Sequence, residues 1–369
     1  MDNFTHGGNL REIVDKYNIN ESKIVDFSSN INPLGIPDSI KKLIAASIDK
    51  IYHYPDPEYR LLKEKLSRSL GIDARNLLPA NGSNELIYLL VNALEPKKVL
   101  VPVPTYCEYE RAAAAVDSEC VFLNFCGDGG FDFDVDKIVD LASDSGVDAI
   151  FICNPNNPTG WLWQREEIEY LIKECEKKNV FLIIDEAFID FVVEGDKTTL
   201  VRSAANGNNT AVLRSLTKIF AIPGLRLGYL AGNKELVKKL SERQSTWSVN
   251  NIAQLVGSKL LENYDFIIKS REYIFREREV FFGELENIIW LEPFKPSANF
   301  IFCKIKDHKI TSGKLSNYLA KNFRILIRDC SNFRGLDNSF IRLAVKTRQE
   351  NKRLLSCLNK YYKTLNKGK

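Results

Sequence analysis

The chain has 369 residues, of which 44% are hydrophobic and 27% charged, and its 51 Lys and Arg stand against 48 Asp and Glu for a formal net charge of +3. Such a composition points to a globular protein of two closely packed domains, excludes a bilayer span because no apolar run approaches the ~20 residues required, and argues against nucleic acid because the basic residues form no stripe interleaved with aromatics. Eight cysteines (107, 120, 126, 153, 175, 303, 330 and 357) lack Cys-x-x-Cys spacing, so reduced core thiols are expected rather than disulfides or zinc, and without a basic and apolar leader in residues 1–9 the expected compartment is the cytoplasm.

In chain order, the first 50 residues carry Pro33, Gly35 and Pro37 and are expected to cross over to a C-terminal domain as a loop-rich arm. Asn81-Gly-Ser-Asn-Glu85 precedes a helical run from Leu86 to Leu94, so Ser83 and Asn84 are placed either to cap that helix or to offer backbone N–H groups to an anion. Apolar, β-branched runs at 98–103, 148–153, 180–185, 211–215 and 226–231 then alternate with helical periods, one of them at 166–176. This alternation predicts an α/β fold with a mostly parallel sheet covered by helices on both faces. Chemistry in such sheets gathers at the carboxyl ends of the strands, where Asn154, Asp185 and Ser215 stand. A long helical region from Asn250 to Glu286 leads to strand-like runs at 298–304, 324–328 and 340–345, a smaller α/β domain. The expected division is an arm at 1–50 joining the small domain, a large domain at 51–265 and a small C-terminal domain at 266–369, with the Lys-rich tail from Lys360 to Lys369 a solvated helix end.

The stretch from Ser215 to Tyr229 supplies the most specific chemistry. Lys218 can form a Schiff base with an aldehyde, Ser215 and Arg226 can hold a phosphate dianion, and Pro223 and Gly224 let the backbone bend so that the three converge. Pyridoxal 5'-phosphate fits that set, although Ser-x-x-Lys spacing also occurs on solvated helix faces. Asp185, after a fully apolar strand, needs a cation such as a protonated pyridine nitrogen, or else caps a helix. In Asn154-Pro-Asn-Asn-Pro-Thr-Gly160, Asn157 is the candidate donor to the cofactor's phenolic oxygen, and Tyr106 is a candidate to stack on its ring or to fill the core.

The ordered motifs Asn-Gly-Ser, Pro-Thr-Tyr, Asn-Pro-Asn-Asn-Pro-Thr-Gly, Asp-Glu-Ala, Ser-x-Thr-Lys and Gly-x-Arg-x-Gly resemble the fold-type I pyridoxal-phosphate enzymes of the aspartate aminotransferase superfamily over nearly the whole chain. The resemblance implies a large domain with a mostly parallel mixed sheet and a smaller C-terminal α/β domain. It also implies a homodimer with shared active sites, in which Tyr54 of His53-Tyr-Pro-Asp-Pro-Glu58 reaches the neighbour's cofactor phosphate. His6-Gly-Gly-Asn-Leu-Arg-Glu12, Asp26-Phe-Ser-Ser-Asn-Ile-Asn-Pro-Leu-Gly35, Ile189-Asp-Phe191, Trp247-Ser-Val-Asn250 and Leu326-Ile-Arg-Asp-Cys330 resemble the branch that decarboxylates L-threonine O-3-phosphate in cobalamin synthesis. Phe188 stands where the related aminotransferases usually carry a tyrosine that donates to the phenolic oxygen.

By the same resemblance Arg342 takes the substrate α-carboxylate and Arg328 its phosphate, with His6, given across the subunit interface, and Asn30 completing a pocket for a phosphorylated amino acid. Lys218 would return a proton to Cα after CO2 leaves, giving 1-amino-2-propanol O-phosphate. L-Serine O-phosphate as substrate and transamination of histidinol phosphate stay open.

Overall fold

The computed structural model describes residues 6–127, 130–131 and 133–366; the reading of residues 1–5 as leaderless and the last three residues of the Lys-rich tail lie outside the described residues. Seven strands form the large sheet: β1 (Leu77–Ala80), β2 (Lys98–Val103), β3 (Glu119–Asn124), β4 (Ala149–Cys153), β5 (Phe181–Asp185), β6 (Thr210–Ser215) and β7 (Gly228–Ala231), in the order β1-β7-β6-β5-β4-β2-β3. Four more, β8 (Leu291–Pro293), β9 (Phe300–Ile305), β10 (Arg328–Asp329) and β11 (Phe340–Ala344), form an antiparallel sheet in the order β8-β9-β11-β10. The helices used below are α1 (Leu10–Tyr17), α2 (Ser83–Leu94), α3 (Glu108–Ala114), α4 (Arg165–Lys177), α5 (Leu216–Ile219), α6 (Asn251–Leu260), α7 (Tyr264–Glu286), α8 (Ser312–Phe323) and α9 (Arg348–Asn366).

The central strands are apolar throughout because both faces of the sheet are covered. Alternation still sorts their side chains: Ile150, Ile152, Leu182 and Ile184 enter one core, while Ala149, Phe151, Cys153 and Ile183 enter the core on the other face. The crossover helix expected at 166–176 is α4, between β4 and β5, which pair in parallel. Strand β7 departs from the parallel expectation and runs antiparallel to both β6 and β1. Between β6 and β7 the chain has only the four-residue α5 and a turn at Pro223–Leu225, so it doubles back instead of crossing over. It also starts at Gly228 rather than 226, because Arg226 sits in the left-handed region at φ 57°.

Val25–Asp26 pairs in parallel with Ile325–Leu326, and Lys16 and Tyr17 of α1 reach Asn317 of α8, so the early segment packs beside the antiparallel sheet. The run expected as one strand at 324–328 is broken into Ile325–Leu326 and β10, each pairing with a different partner. The helical region after Asn250 is two helices, α6 and α7. Among the described residues no helix is long and apolar enough to cross a membrane.

Gly228 fixes how closely β7 approaches the start of α2: a Cβ there would lie 2.6 Å from the Ser83 amide nitrogen and 2.8 Å from the Arg214 carbonyl oxygen. Both are backbone atoms, which cannot swing aside. Gly228→Ala is expected to lower stability by about 1–3 kcal/mol, read as the shift in denaturant midpoint at unchanged slope; an unshifted midpoint would show that the two segments can separate without cost.

Candidate active site

The floor of the site is the carboxyl edge of the large sheet. Asp185 ends β5 at 3% exposure; its Oδ2 accepts from the Tyr109 hydroxyl at 2.9 Å and its Oδ1 from the Ala187 N–H at 2.9 Å. Burial raises its pKa, and the two hydrogen bonds together with the charge of Lys218 draw it back down. Tyr109 is itself fixed by stacking on Phe151, with ring centroids 4.7 Å apart and planes 8° from parallel. Neither donor to Asp185 is a cation, so a cationic group bound beside it would find a carboxylate already oriented.

Lys218 leaves the end of β6 on α5. The Asn32 N–H donates to the Lys218 carbonyl at 3.2 Å, and the Asn32 side chain donates to the Ile219 carbonyl at 2.7 Å and to Ser270 Oγ at 2.8 Å. This tie holds the lysine's backbone while its amine stays inside. Burial, then Arg226 and Arg342, push the amine down to about 8 against the opposing pull of Asp185. A lysine in that range has a substantial neutral, nucleophilic fraction near neutral pH.

Beside the lysine is an anion cradle. Helix α2 begins at Ser83 after Gly82, and no side chain caps its N-terminus. The Arg226 Nη2 lies where a Cβ on residue 82 would be, 2.4 Å from that position, so its guanidinium sits over the first turn. Gly82 has φ +79°, a conformation that L side chains rarely adopt. Uncapped helical N–H groups with an arginine over them suit a phosphate. Ser215, buried, shares a hydrogen bond with Thr217 at 2.7 Å. Tyr106 covers the site, its hydroxyl donating to Asn84 Oδ1 at 3.4 Å.

Above the floor is a cavity of about 450 Å3 that brings together His6, Asn30, Ser83, Tyr106, Asn157, Asp185, Lys218, Arg328 and Arg342, with Phe188 in the wall. Arg342 donates to Asn157 Oδ1 and, at 2.6 Å, to the Ser28 carbonyl; its Nε is buried without a hydrogen-bond partner. Because Asn157 spends its oxygen on Arg342, its amide nitrogen is left to face a ligand oxygen. Asn30 Oδ1 is also buried without a partner. Arg328 donates to Asn332 Oδ1 at 2.6 Å and stacks over Phe333 at 5.0 Å. In the β10–β11 pairing Arg328 stands directly opposite Arg342. Two buried guanidinium groups in register repel one another, an arrangement suited to anions bound between them.

Four candidate residues do not line the cavity; one is Ser215, buried at the end of β6. Asn84 sits behind Tyr106, Arg226 is exposed beside Gly82, and Tyr54 is 78% exposed, stacked on Trp247 at 4.3 Å. His6 departs from expectation: it enters the cavity of its own chain and bonds to its own Glu108 at 2.8 Å. The reason is local. Gly8 turns at φ +82° and donates to Ser28 Oγ at 2.8 Å, and Gly7 packs so closely that a Cβ would lie 2.2 Å from the Ser28 carbonyl oxygen. Tyr109 and Glu108 were not anticipated. Tyr109 follows Tyr106 at helical spacing, which is a signal for one face; Glu108 carries no such mark.

The donor set fits a phosphorylated pyridine aldehyde. There is a buried amine for the aldehyde, a buried carboxylate for the ring nitrogen, an amide nitrogen for a ring oxygen, and an uncapped helix start with an arginine for the phosphate.

Residues 22–358 match the family described as aminotransferase class I and II. A Caldanaerobacter subterraneus protein provisionally named a threonine-phosphate decarboxylase is 39% identical over 362 residues, covering 98% of this chain and 95% of that one. The threonine-phosphate decarboxylase of Salmonella typhimurium is 34% identical, covering 96% of each chain. Among solved structures, a histidinol-phosphate aminotransferase from Clostridium acetobutylicum superposes with a TM-score of 0.84 at 35% identity, over 92% of this chain and 99% of that chain.

Only the neutral amine of Lys218 attacks an aldehyde, so the rate at which cofactor-free protein takes up pyridoxal phosphate is expected to climb with pH up to about 8 and level off above it. Absorbance during mixing reads the rate; a rise continuing to pH 10 would mean the amine is not depressed.

Proposed function

This chain belongs to the aminotransferase class I and II family, and we propose that it is a pyridoxal-phosphate-dependent decarboxylase that converts L-threonine O-3-phosphate to (R)-1-amino-2-propanol O-phosphate and CO2, a step of cobalamin synthesis. The observation that carries this reading is the buried pair Arg328 and Arg342, opposed across β10 and β11. A substrate with both a carboxylate and a phosphate supplies two anions for two cations. Histidinol phosphate has only the phosphate. The wall residue Phe188, packed edge-on against Phe300 at 5.1 Å, offers no hydroxyl at the ring, in keeping with a branch that does not transaminate.

When bound, pyridoxal phosphate supplies an electrophilic carbon and a cationic ring that accepts the electron pair of the breaking Cα–carboxylate bond. The protein's part is to hold and orient. Asp185 would hold the ring nitrogen in its protonated form, Asn157 Nδ2 would donate to the ring oxygen, and Tyr106 would lie beside the ring. The α2 N–H groups near Ser83 and Asn84, with Ser215 and Arg226, hold its phosphate. Arg342 would fix the substrate carboxylate, and Arg328, with Asn30 and His6, would anchor the substrate phosphate away from the reacting bond. Lys218, whose buried amine can carry a proton, would be the acid that returns one to Cα. A homodimer is supported by the exposed apolar group Ile48, Ile51, Tyr52, Tyr54 and Trp247, with Tyr54 reaching the second copy's phosphate cradle. Eight free thiols support a reducing, cytoplasmic setting.

The test is to incubate the purified, cofactor-loaded protein with L-threonine O-3-phosphate and no oxo acid. CO2 and aminopropanol phosphate in equal amounts are expected. No CO2, but amino transfer from histidinol phosphate once 2-oxoglutarate is added, would overturn the assignment. Arg328→Met is expected to raise KM for threonine phosphate about 10- to 100-fold, the loss of charge-assisted hydrogen bonds, with cofactor affinity unchanged; a fall in cofactor affinity instead would reverse the division between the two phosphates.

A further inference from the structure

Beside the cavity is a charged cluster centred on Glu108, a carboxylate that the steps above do not use. Glu108, at the start of α3, is 2% exposed, and its carboxylate accepts from Arg111 at 2.7 Å, from the Tyr88 hydroxyl at 2.8 Å and from Asn84 Nδ2 at 3.5 Å. The fourth contact is His6 Nε2 at 2.8 Å, and since a carboxylate only accepts, the imidazole is the donor. A buried carboxylate is costly unless it is matched by donors of this kind. Burial works to raise the pKa of Glu108, yet His6, Tyr88 and Arg111 hold it at about 2. Contacts with Cys107 and Glu108 lift His6 to about 9 against its own burial. The groups facing His6 are Glu108, Cys107 with Sγ 4.0 Å from Nδ1, and the Tyr106 ring at 5.6 Å; across the cavity stand Asp26, Arg328 and Arg342.

The other end of the same short segment is tied down by the Gly8 N–H on Ser28 Oγ, and Ser28 also gives its carbonyl to Arg342. Residues 6–8 therefore span the cavity from Glu108 on one side to the support of the carboxylate-binding arginine on the other. We propose that Glu108 is a positioning residue for substrate recognition: it pins this strap across the cavity and holds His6 as a third cation lining the same cavity as Arg328 and Arg342, so that the site selects a phosphoryl dianion over a singly charged side chain. The inference rests on the phosphorylated substrate proposed above. A glutamine at 108 keeps the shape and loses the charge that favours imidazolium, so the two roles separate by experiment.

The chain's three histidines, His6, His53 and His308, make a ring-proton NMR titration readable, with H6N assigning the resonance. In wild type His6 should titrate well above the ordinary histidine range, and in E108Q at least about one pH unit lower, a tenfold loss of proton affinity. At mildly alkaline pH, E108Q should raise KM for L-threonine O-3-phosphate about tenfold, more than it lowers kcat, E108D should recover part of the loss, and E108Q should add little in an H6N background. An unshifted His6 titration in E108Q overturns the charge-holding role. A shifted titration with unchanged KM, or full additivity with H6N, overturns the recognition role. If wild type does not turn over threonine phosphate at all, the substrate reading and the recognition role fall together, and the titration still decides whether Glu108 holds the imidazolium.

Discussion

Desolvation of charge at the carboxyl edge of the large sheet governs the site. Asp185 and Lys218 both lie where water is excluded, and burial drives their pKa values in opposite directions, the acid up and the amine down. Each would be an expense in a merely structural role. Burial brings Lys218 toward the neutral form that condenses with an aldehyde, while the Tyr109 hydroxyl and Ala187 N–H favour the ionised form of Asp185. The surrounding packing, from Phe151 under Tyr109 to Asn32 on the α5 carbonyls, preserves this exclusion while leaving one cavity open.

The same logic applies to the arginine pair. Arg342 is depressed to about 10, first by burial and with a contribution from Arg328 across the strand pair. A protein selected for stability alone would not oppose two buried guanidinium groups, since like charges directly across a strand pair destabilise it. An anion bound at each, as proposed above, would offset that repulsion. The strap at 6–8 connects to this pair through Ser28, which serves both Gly8 and Arg342.

Much of this was legible in residues. The runs at 98–103, 148–153 and 180–185 are unbroken and β-branched, as doubly covered strands must be, and the chemistry at their ends is spelled in local motifs around Asp185, Asn157 and Lys218. What was not legible has physical causes. Strand β1 is four residues with a proline at 79, and β3 is a partly exposed edge strand, so neither carries a strong period. Periodicity does not encode direction, which hid the antiparallel turn of β7. Nothing local in Glu-Tyr-Glu-Arg111 marks Glu108 as buried; Tyr88 and His6, 20 and 102 residues earlier in the chain, both bond to it. Tertiary convergence of this kind leaves no local trace.

Two neighbouring carboxylates, Asp185 and Glu186, are both buried but are compensated differently. Glu186 is fully buried one residue on, and burial raises its pKa as well, but Arg214 of β6 lies 3.4 Å away, and Thr199 and the Leu200 N–H complete its bonding. Arg214 also pairs with Asp190 at 2.5 Å, closing a network inside the protein. Asp185 lines the cavity, whereas Glu186 and Arg214 do not. The fold thus supplies a cation to one of two adjacent buried acids and gives the other only neutral donors. With only neutral hydrogen-bond donors on it, the Asp185 carboxylate is oriented for a cationic partner, which supports the proposed contact with the cofactor's ring nitrogen.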